Sequence, residues 1–305
     1  MTNIVTADAA RADATASVFR TQTRLGPVEH TDDGDGPAFL ALHGGMGGYD
    51  QSLLLAKTLL AAPASQRVIA LSRPGYLGAP LLSGATLDEH ADLYAALLDR
   101  LAIDRAVVAA VSAGGPSAIA FAARHPDRCA GLILVSTPSG RFDSPDEVVK
   151  RLRHFEILCR IPGVARFFAW ANRRNPRKAA ARAIRDPDTL QRTLAHPEAA
   201  RLLFALQGSV FERLAERLPG TIADVSALAA LPPLPFHRIS SPTLVIHGEA
   251  DSVVPFAHGR RSAHEIAGAE FCKIPAGEHV CLFTHLDEVR QRVGAFLRRA
   301  REEAR

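Results

Sequence analysis

The sequence predicts an α/β fold: a mostly parallel sheet with helices on both faces, interrupted by a helical insertion. Three observations lead there. Short continuous apolar runs alternate with segments of helical period up to about residue 138. From Ser139 to about Pro235 the chain is Arg-rich and helical in period, with no strong apolar run. The alternation then resumes and continues to the C-terminus. Strands that are apolar throughout need cover on both faces, which is the signature of a parallel sheet wrapped by helices.

The elements follow in order. "ASVFRTQT" and "GPVEHTDDGDGP" form a shorter pair joined by a polar turn, an antiparallel start to the sheet. "PAFLALHGG" (37–45) is a buried strand ending in glycines, and "SLLLAKTLLAA" (52–62) has helical period. "RVIALSRPGYLG" is a strand running into a Pro-Gly turn. "TLDEHADLYAALLDRLAI" is a helix opened by Thr86, with Glu89 completing a capping box. "RAVVAAVS" and "CAGLILVSTP" are strands flanking the helix "PSAIAFAARHP", which Pro126 stops. In the insertion, Pro145, Pro162, Pro176, Pro187, Pro197 and Pro219 punctuate the helical pattern. After it come the strand "TLVIHGEAD", the helix "FAHGRRSAHEIAG", the strand "EFCKIPAG" and a terminal amphipathic helix. The expected division is a core of residues 1–138 and 236–305 around a helical cap, residues 139–235.

Composition narrows the classes. A chain of 305 residues that is 47% hydrophobic and 22% charged has the balance of a soluble globular protein, large enough to shield a pocket from water. No apolar run approaches the roughly 20 residues a membrane span requires, so no integral membrane association is expected. Asp8 and Asp13 interrupt the N-terminus where a leader would be apolar. Cys129, Cys159, Cys272 and Cys281 are scattered without metal-ligand spacing, and read as reduced thiols of a cytoplasmic protein with no metal and no cofactor. Residues 141–236 hold 16 basic against 10 acidic residues, while the rest of the chain is slightly acidic. The basic character therefore belongs to one segment, which argues against a general nucleic-acid binder and for a middle region with its own surface role; the partner expected is a small-molecule substrate. Within it, Arg173, Arg174, Arg177, Lys178, Arg182 and Arg185 read first as a solvated helix face. Attraction of anionic substrates or a membrane surface is the functional alternative. Phe155, Phe167, Phe168, Trp170 and Phe204 likewise read first as the insertion's own core, and otherwise as pocket lining.

The chemistry starts at "AAVSAGGPSA" (109–118). A serine that ends a buried strand and is followed by glycines and a helix fits a nucleophile elbow. Positions two residues either side of it must be small, and here they are Ala110 and Gly114. Such a serine needs a base, and the base needs an orienting acid. Asp251 lies just past one later strand, in "LVIHGEADSVVP", and His279 just past the next, in "KIPAGEHVCLF". Parallel strands present their carboxyl ends on one edge, so Ser112, Asp251 and His279 are expected together. His43, His247 and His258 also fall near strand ends and need no catalytic role. "LHGGMGGYD" (42–50) lacks the Lys-Ser/Thr ending of a phosphate loop. It instead suits an oxyanion hole, with backbone N–H donors assigned to Gly45 and to Ala113. The spacing leaves Gly44, Gly45 or Met46 open for the first donor.

With "HGGMGG", "SRPGYLG", "VSAGGPSAIAFAARHPDR", "VIHGEADSVVP" and "PAGEHVCLF", the chain resembles the α/β-hydrolase superfamily from about residue 38 to 297, in the form with a helical cap after the sixth strand. The resemblance implies a three-layer fold with an eight-stranded sheet, a Ser-Asp-His triad, an oxyanion hole and a pocket between core and cap. Ser112 departs from the nucleophilic Asp of haloalkane dehalogenases and epoxide hydrolases. "HGGMGG" is similar to proline iminopeptidases, but Ala113 stands where those carry Trp. The expected activity is hydrolysis of a carboxylic ester-type bond. The same residues would also serve cleavage of a C–C bond beside a carbonyl, a lactone or a thioester, and a binding protein could keep the fold without the chemistry.

Overall fold

Five strands of mainly apolar sequence are buried along nearly their whole length, because helices cover both faces of the sheet they form. The computed structural model describes residues 17–81, 85–142, 146–159 and 161–303. The reading of the extreme N-terminus, including Asp8 and Asp13, lies outside the described residues. The strands are β1 (Val18–Thr23), β2 (Gly26–Asp33), β3 (Ala38–Leu42), β4 (Arg67–Leu71), β5 (Ala106–Val111), β6 (Cys129–Val135), β7 (Thr243–Gly248) and β8 (Glu270–Ile274). They form one eight-stranded sheet in the order β1-β2-β4-β3-β5-β6-β7-β8. β1 and β2 pair antiparallel, as do β2 and β4, and every later pairing is parallel.

Helices α1 (Tyr49–Leu59), α2 (Leu87–Arg100) and α3 (Gly115–Arg124) connect the first strands. The Thr86–Glu89 capping box forms as its spacing predicts. Glu89 N–H donates to Thr86 Oγ1 at 3.2 Å, and Thr86 N–H to Glu89 Oε2 at 2.9 Å. Helix α1 begins three residues before the apolar run, because Asp50 and Gln51 are drawn inward by polar partners, Arg217 and the Met46 carbonyl. Helices α10 (Phe256–Glu265), α11 (Cys281–Thr284) and α12 (Leu286–Glu303) close the chain.

Between β6 and β7 the described residues form α4 (Asp146–Cys159), α5 (Val164–Arg174), α6 (Pro176–Ala183), α7 (Pro187–Ala195), α8 (Pro197–Ser209) and α9 (Leu214–Ala229). Pro176, Pro187 and Pro197 each begin a helix. The side chain of the preceding Asn175, Asp186 or His196 accepts from a first-turn N–H. Pro219 departs from the expected punctuation, for α9 runs through it. The reason is a loop of the core that supplies the missing bonds. Leu77 N–H donates to Glu216 O at 2.8 Å, and Gly220 N–H turns outward to Gly75 O at 2.8 Å. The Gly220 N–H to Glu216 O pair of a regular helix, next to the N–H that Pro219 lacks, is thereby replaced by bonds to the segment after β4.

Candidate active site

Ser112 follows β5 directly at φ 50°, in the left-handed region where a non-glycine residue costs on the order of 1–3 kcal/mol. The turn is held from both sides by β5 and α3. Ala110 is fully buried, and a Cβ on Gly114 would lie 2.5 Å from the His43 carbonyl oxygen. The small residues around the serine are therefore imposed by its neighbours.

His279 lies in the turn after β8, with Nε2 3.1 Å from Ser112 Oγ and Nδ1 2.9 Å from Asp251 Oδ2. These partners fit an imidazole that donates from Nδ1 to the carboxylate and accepts at Nε2 from the serine hydroxyl. Asp251 Oδ1 accepts from the Val253 and Val254 N–H groups, each at 2.9 Å. His247 donates from Nε2 to Val254 O at 2.9 Å, and the same nitrogen lies 3.5 Å from Asp251 Oδ2. Burial alone would raise the Asp251 carboxyl, but hydrogen bonds from His247 and His279 outweigh it and hold the group well below the usual carboxylate range. The two loops are laced together, with Glu249 N–H donating to Ile274 O and Ala250 N–H to Gly277 O. Ser112, Asp251 and His279 thus meet at one sheet edge. Cys281 is two residues from His279 but fully buried, and burial pushes its thiol up to about 12, so it offers no thiolate there. Among the described residues no group of three or more His, Cys, Asp or Glu is placed to share a metal ion.

The glycine-rich loop 43–48 passes beside the serine. A Cβ on Gly44 would come 3.1 Å from Ser112 Cβ, whereas one on Gly45 would meet open space. Met46 N–H donates to Thr221 Oγ1 of α9 at 3.1 Å, so that donor already has a partner. The opposite side of the loop is held by Arg73, a residue to which no sequence motif gives a role. Its guanidinium is 1% exposed. It donates from Nε to His43 O at 2.9 Å and from Nη2 to Gly44 O at 3.3 Å. The same fork pairs with Asp224 of α9, Nη1 donating to Oδ1 at 3.0 Å and Nη2 to Oδ2. Tyr76 Oη also donates to Asp224 Oδ2, at 2.5 Å. Burial opposes the charge on Arg73, and Asp224 more than restores it. His43 joins this group with Nδ1 2.6 Å from Gly44 O, while Nε2 accepts from Arg73 N–H at 3.0 Å. Burial first, then the Arg73 charge, hold His43 well below its ordinary value and therefore neutral. A legible signal existed: an arginine set between a buried strand and a Pro-Gly turn in "LSRPGYLG".

Comparison with known proteins agrees with this architecture. A model of the alpha/beta hydrolase fold family matches residues 37–286. An alpha/beta hydrolase fold protein from Nakamurella multipartita has a similar structure, with a TM-score of 0.77 and 32% identity over 92% of this chain and 99% of that one. A 2-hydroxy-6-oxononadienedioate/2-hydroxy-6-oxononatrienedioate hydrolase of Burkholderia vietnamiensis is 28% identical over 89% of this chain and 91% of its own. A pimeloyl-[acyl-carrier protein] methyl ester esterase of Chromobacterium violaceum is 31% identical over 70% of this chain and 76% of its own. The chain belongs to the alpha/beta hydrolase fold family, and it is a hydrolase.

Proposed function

We propose that this hydrolase cleaves a carboxylic ester-type bond of a small molecule through an acyl-enzyme on Ser112. The observation that carries the reading is the continuous pair of hydrogen bonds from Asp251 to His279 to Ser112, on a serine held at positive φ. His279 Nε2 takes the hydroxyl proton as Ser112 Oγ attacks the carbonyl carbon. The carbonyl oxygen becomes an oxyanion that accepts from the Gly45 and Ala113 N–H groups. Gly45 suits this role better than Met46, whose N–H is spent on Thr221. Collapse of the intermediate expels the alcohol, which takes its proton from the imidazolium. Water then attacks the acyl-enzyme, with His279 as base, and releases the acid and the free serine. Asp251 keeps the imidazole in the required tautomer throughout. Residues 139–235 act as a cap over the carbonyl-binding edge, and α9 carries the cap's bonds to the oxyanion loop.

A fluorophosphonate probe tests the reading. Labelling at Ser112 is expected in the native chain and is lost in Ser112→Ala and in the heat-unfolded protein. Turnover in Ser112→Ala is expected to fall by at least about 10³-fold. Near-native turnover in that variant, or a folded protein that the probe never labels, overturns the serine mechanism. The substrate panel should span alkyl and aryl esters, lactones and thioesters. The likeness to a 2-hydroxy-6-oxononadienedioate hydrolase supports adding a vinylogous diketone, for which the same residues would cleave a C–C bond beside a carbonyl.

A further inference from the structure

Helix α5 is apolar on two sides. Its inner side packs through Ala165 into a small cluster with Phe155 and Cys159 of α4, Leu214 and Leu218 of α9, and Met46 of the oxyanion loop. Phe155 and Phe168 meet edge to face at 5.2 Å, the segment's own core, as the sequence suggests. The outer side does not bury its large residues. Phe167 is 59% exposed and Trp170 49%, and with Arg174 they follow an i, i+3, i+7 stripe. Phe167 and Trp170 lie 5.8 Å apart, and the Arg174 guanidinium sits 4.3 Å above the Trp170 ring. Ile157 and Leu158 in the last turn of α4, and Ile161 before α5, are exposed as well.

Charge decides what such a surface can meet. From Ile157 to Arg185 the sequence has eight basic residues and no Asp or Glu. Arg166, Arg174, Arg177, Lys178 and Arg182 among them are exposed. A second copy of the chain would bring the same cations against themselves. An anionic bilayer answers both features: its headgroups neutralise the arginines while its interfacial layer takes Phe, Ile and Trp side chains. Trp and Arg lying side by side match the depth at which each settles in that layer. Among the described residues no helix is long and apolar enough to cross a membrane, so the contact is with the surface.

We propose that the outer face of the α4–α5 turn, α5 and α6 is a docking surface for an anionic phospholipid bilayer. Its inner side joins the same small cluster as Met46 of the oxyanion loop, so a docked molecule holds its carbonyl-binding edge close to the lipid phase. Binding requires no turnover and is measured equally on Ser112→Ala, so it stands or falls separately from the serine mechanism.

Trp170 is the only tryptophan in the chain, which makes its fluorescence a direct reporter. Vesicles of phosphatidylcholine mixed with phosphatidylglycerol are expected to shift its emission to the blue and to carry the protein down on sedimentation. Pure phosphatidylcholine vesicles should do so weakly, and added salt should reverse the binding. Phe167→Ser with Ile161→Ser, and separately Arg177→Glu with Lys178→Glu, are expected to lower partitioning about tenfold or more. Arg20→Glu, on the exposed β1 edge, should leave it unchanged. Circular dichroism and hydrolysis of a water-soluble ester, both without vesicles, check that the surface variants remain folded. Failure to bind mixed vesicles at low salt overturns the proposal. So does equal binding to neutral vesicles, or self-association that Phe167→Ser abolishes.

Discussion

Gly75 and Gly220 stand back to back: Gly220 N–H donates to Gly75 O at 2.8 Å, and a Cβ on Gly75 would lie 2.8 Å from Gly220 Cα. Each follows a proline, Pro74 in the loop after β4 and Pro219 within α9. Pro219 frees the helix backbone, and the loop takes up what it frees. The contact joins the helical segment to the core a few residues from Arg73, whose guanidinium holds the carbonyls of His43 and Gly44. The helix that packs against the glycine-rich loop 43–48 and the arginine that holds that loop are thus tied at one place.

Gly220→Ala is expected to break this contact. The added methyl would collide with the Tyr76 ring, which is fully buried and cannot swing aside. Overpacking of this kind costs about 1–3 kcal/mol. Gly75→Ala carries the further strain of φ 86°. Gly208→Ala, within α8 and with open space around it, serves as the comparison for Gly220→Ala, and Gly163→Ala, at positive φ with open space, as the comparison for Gly75→Ala. Thermal melts should show a lower Tm for Gly220→Ala than for Gly208→Ala. Equal values would mean that the loop yields without cost.

The buried pair between Arg73 and Asp224 makes a second prediction. Asp224→Ala leaves a guanidinium buried beside Tyr76 without its counter-ion, a change that typically costs about 3–5 kcal/mol. Replacing both residues by apolar ones, Arg73→Met with Asp224→Leu, removes the orphaned charge and should return much of the lost Tm. It should not return activity, because the His43 carbonyl then loses its guanidinium donor and Gly44 O keeps only the His43 imidazole. The expected pattern is a reduced kcat with KM little changed, read from steady-state kinetics on an ester that the native chain turns over. A double variant with native kcat would show that Arg73 holds only the fold.

These residues mark the boundary of what the sequence discloses. Strand identity follows from apolar runs, and the edge at which Ser112, Asp251 and His279 meet follows from parallel pairing, so the fold and those three positions are legible. The Arg73–Asp224 pair is not, for 151 residues separate its members and no local pattern couples them. Pro219 misleads for the same reason: a helix that receives hydrogen bonds from a distant loop tolerates a residue that local rules treat as a stop. Phe167 and Trp170 show a third limit. Helical spacing marks them as a stripe, but which side of α5 finds partners depends on α4 and α9.

Asp251 should lose its function at two levels when made Asn. Turnover is expected to fall by about 10⁴-fold, since the amide no longer fixes the His279 tautomer. Stability should change with pH in a defined direction. The native carboxyl is held below its ordinary value of about 3.9, so its contribution is present above that pH and lost as pH falls through the lower, folded value. The Tm difference between wild type and Asp251→Asn should therefore shift against the wild type only below about pH 4. A difference that is flat from pH 6 down to acid unfolding, within about 1 °C, would count against a carboxylate stabilised in the fold.

His43 gives the complementary dependence closer to neutrality. Its imidazole is fully buried and neutral, held between Gly44 O and the Arg73 N–H, and a proton on it would add a charge beside the buried guanidinium. The folded value lies well below the ordinary one of about 6.5. Below pH 6.5 the unfolded chain takes up a proton that the folded chain refuses, so stability is full above that pH and falls as pH drops. The slope from this one group approaches about 1.4 kcal/mol per pH unit. His43→Gln keeps an amide donor and acceptor in the same space and cannot titrate. Its Tm should change less than that of the wild type between about pH 6.5 and 5, and parallel curves would mean that His43 titrates alike in both states. Ester turnover followed over the same range separates stability from activity, because a His43 that stays neutral adds no ionisation of its own to the folded chain.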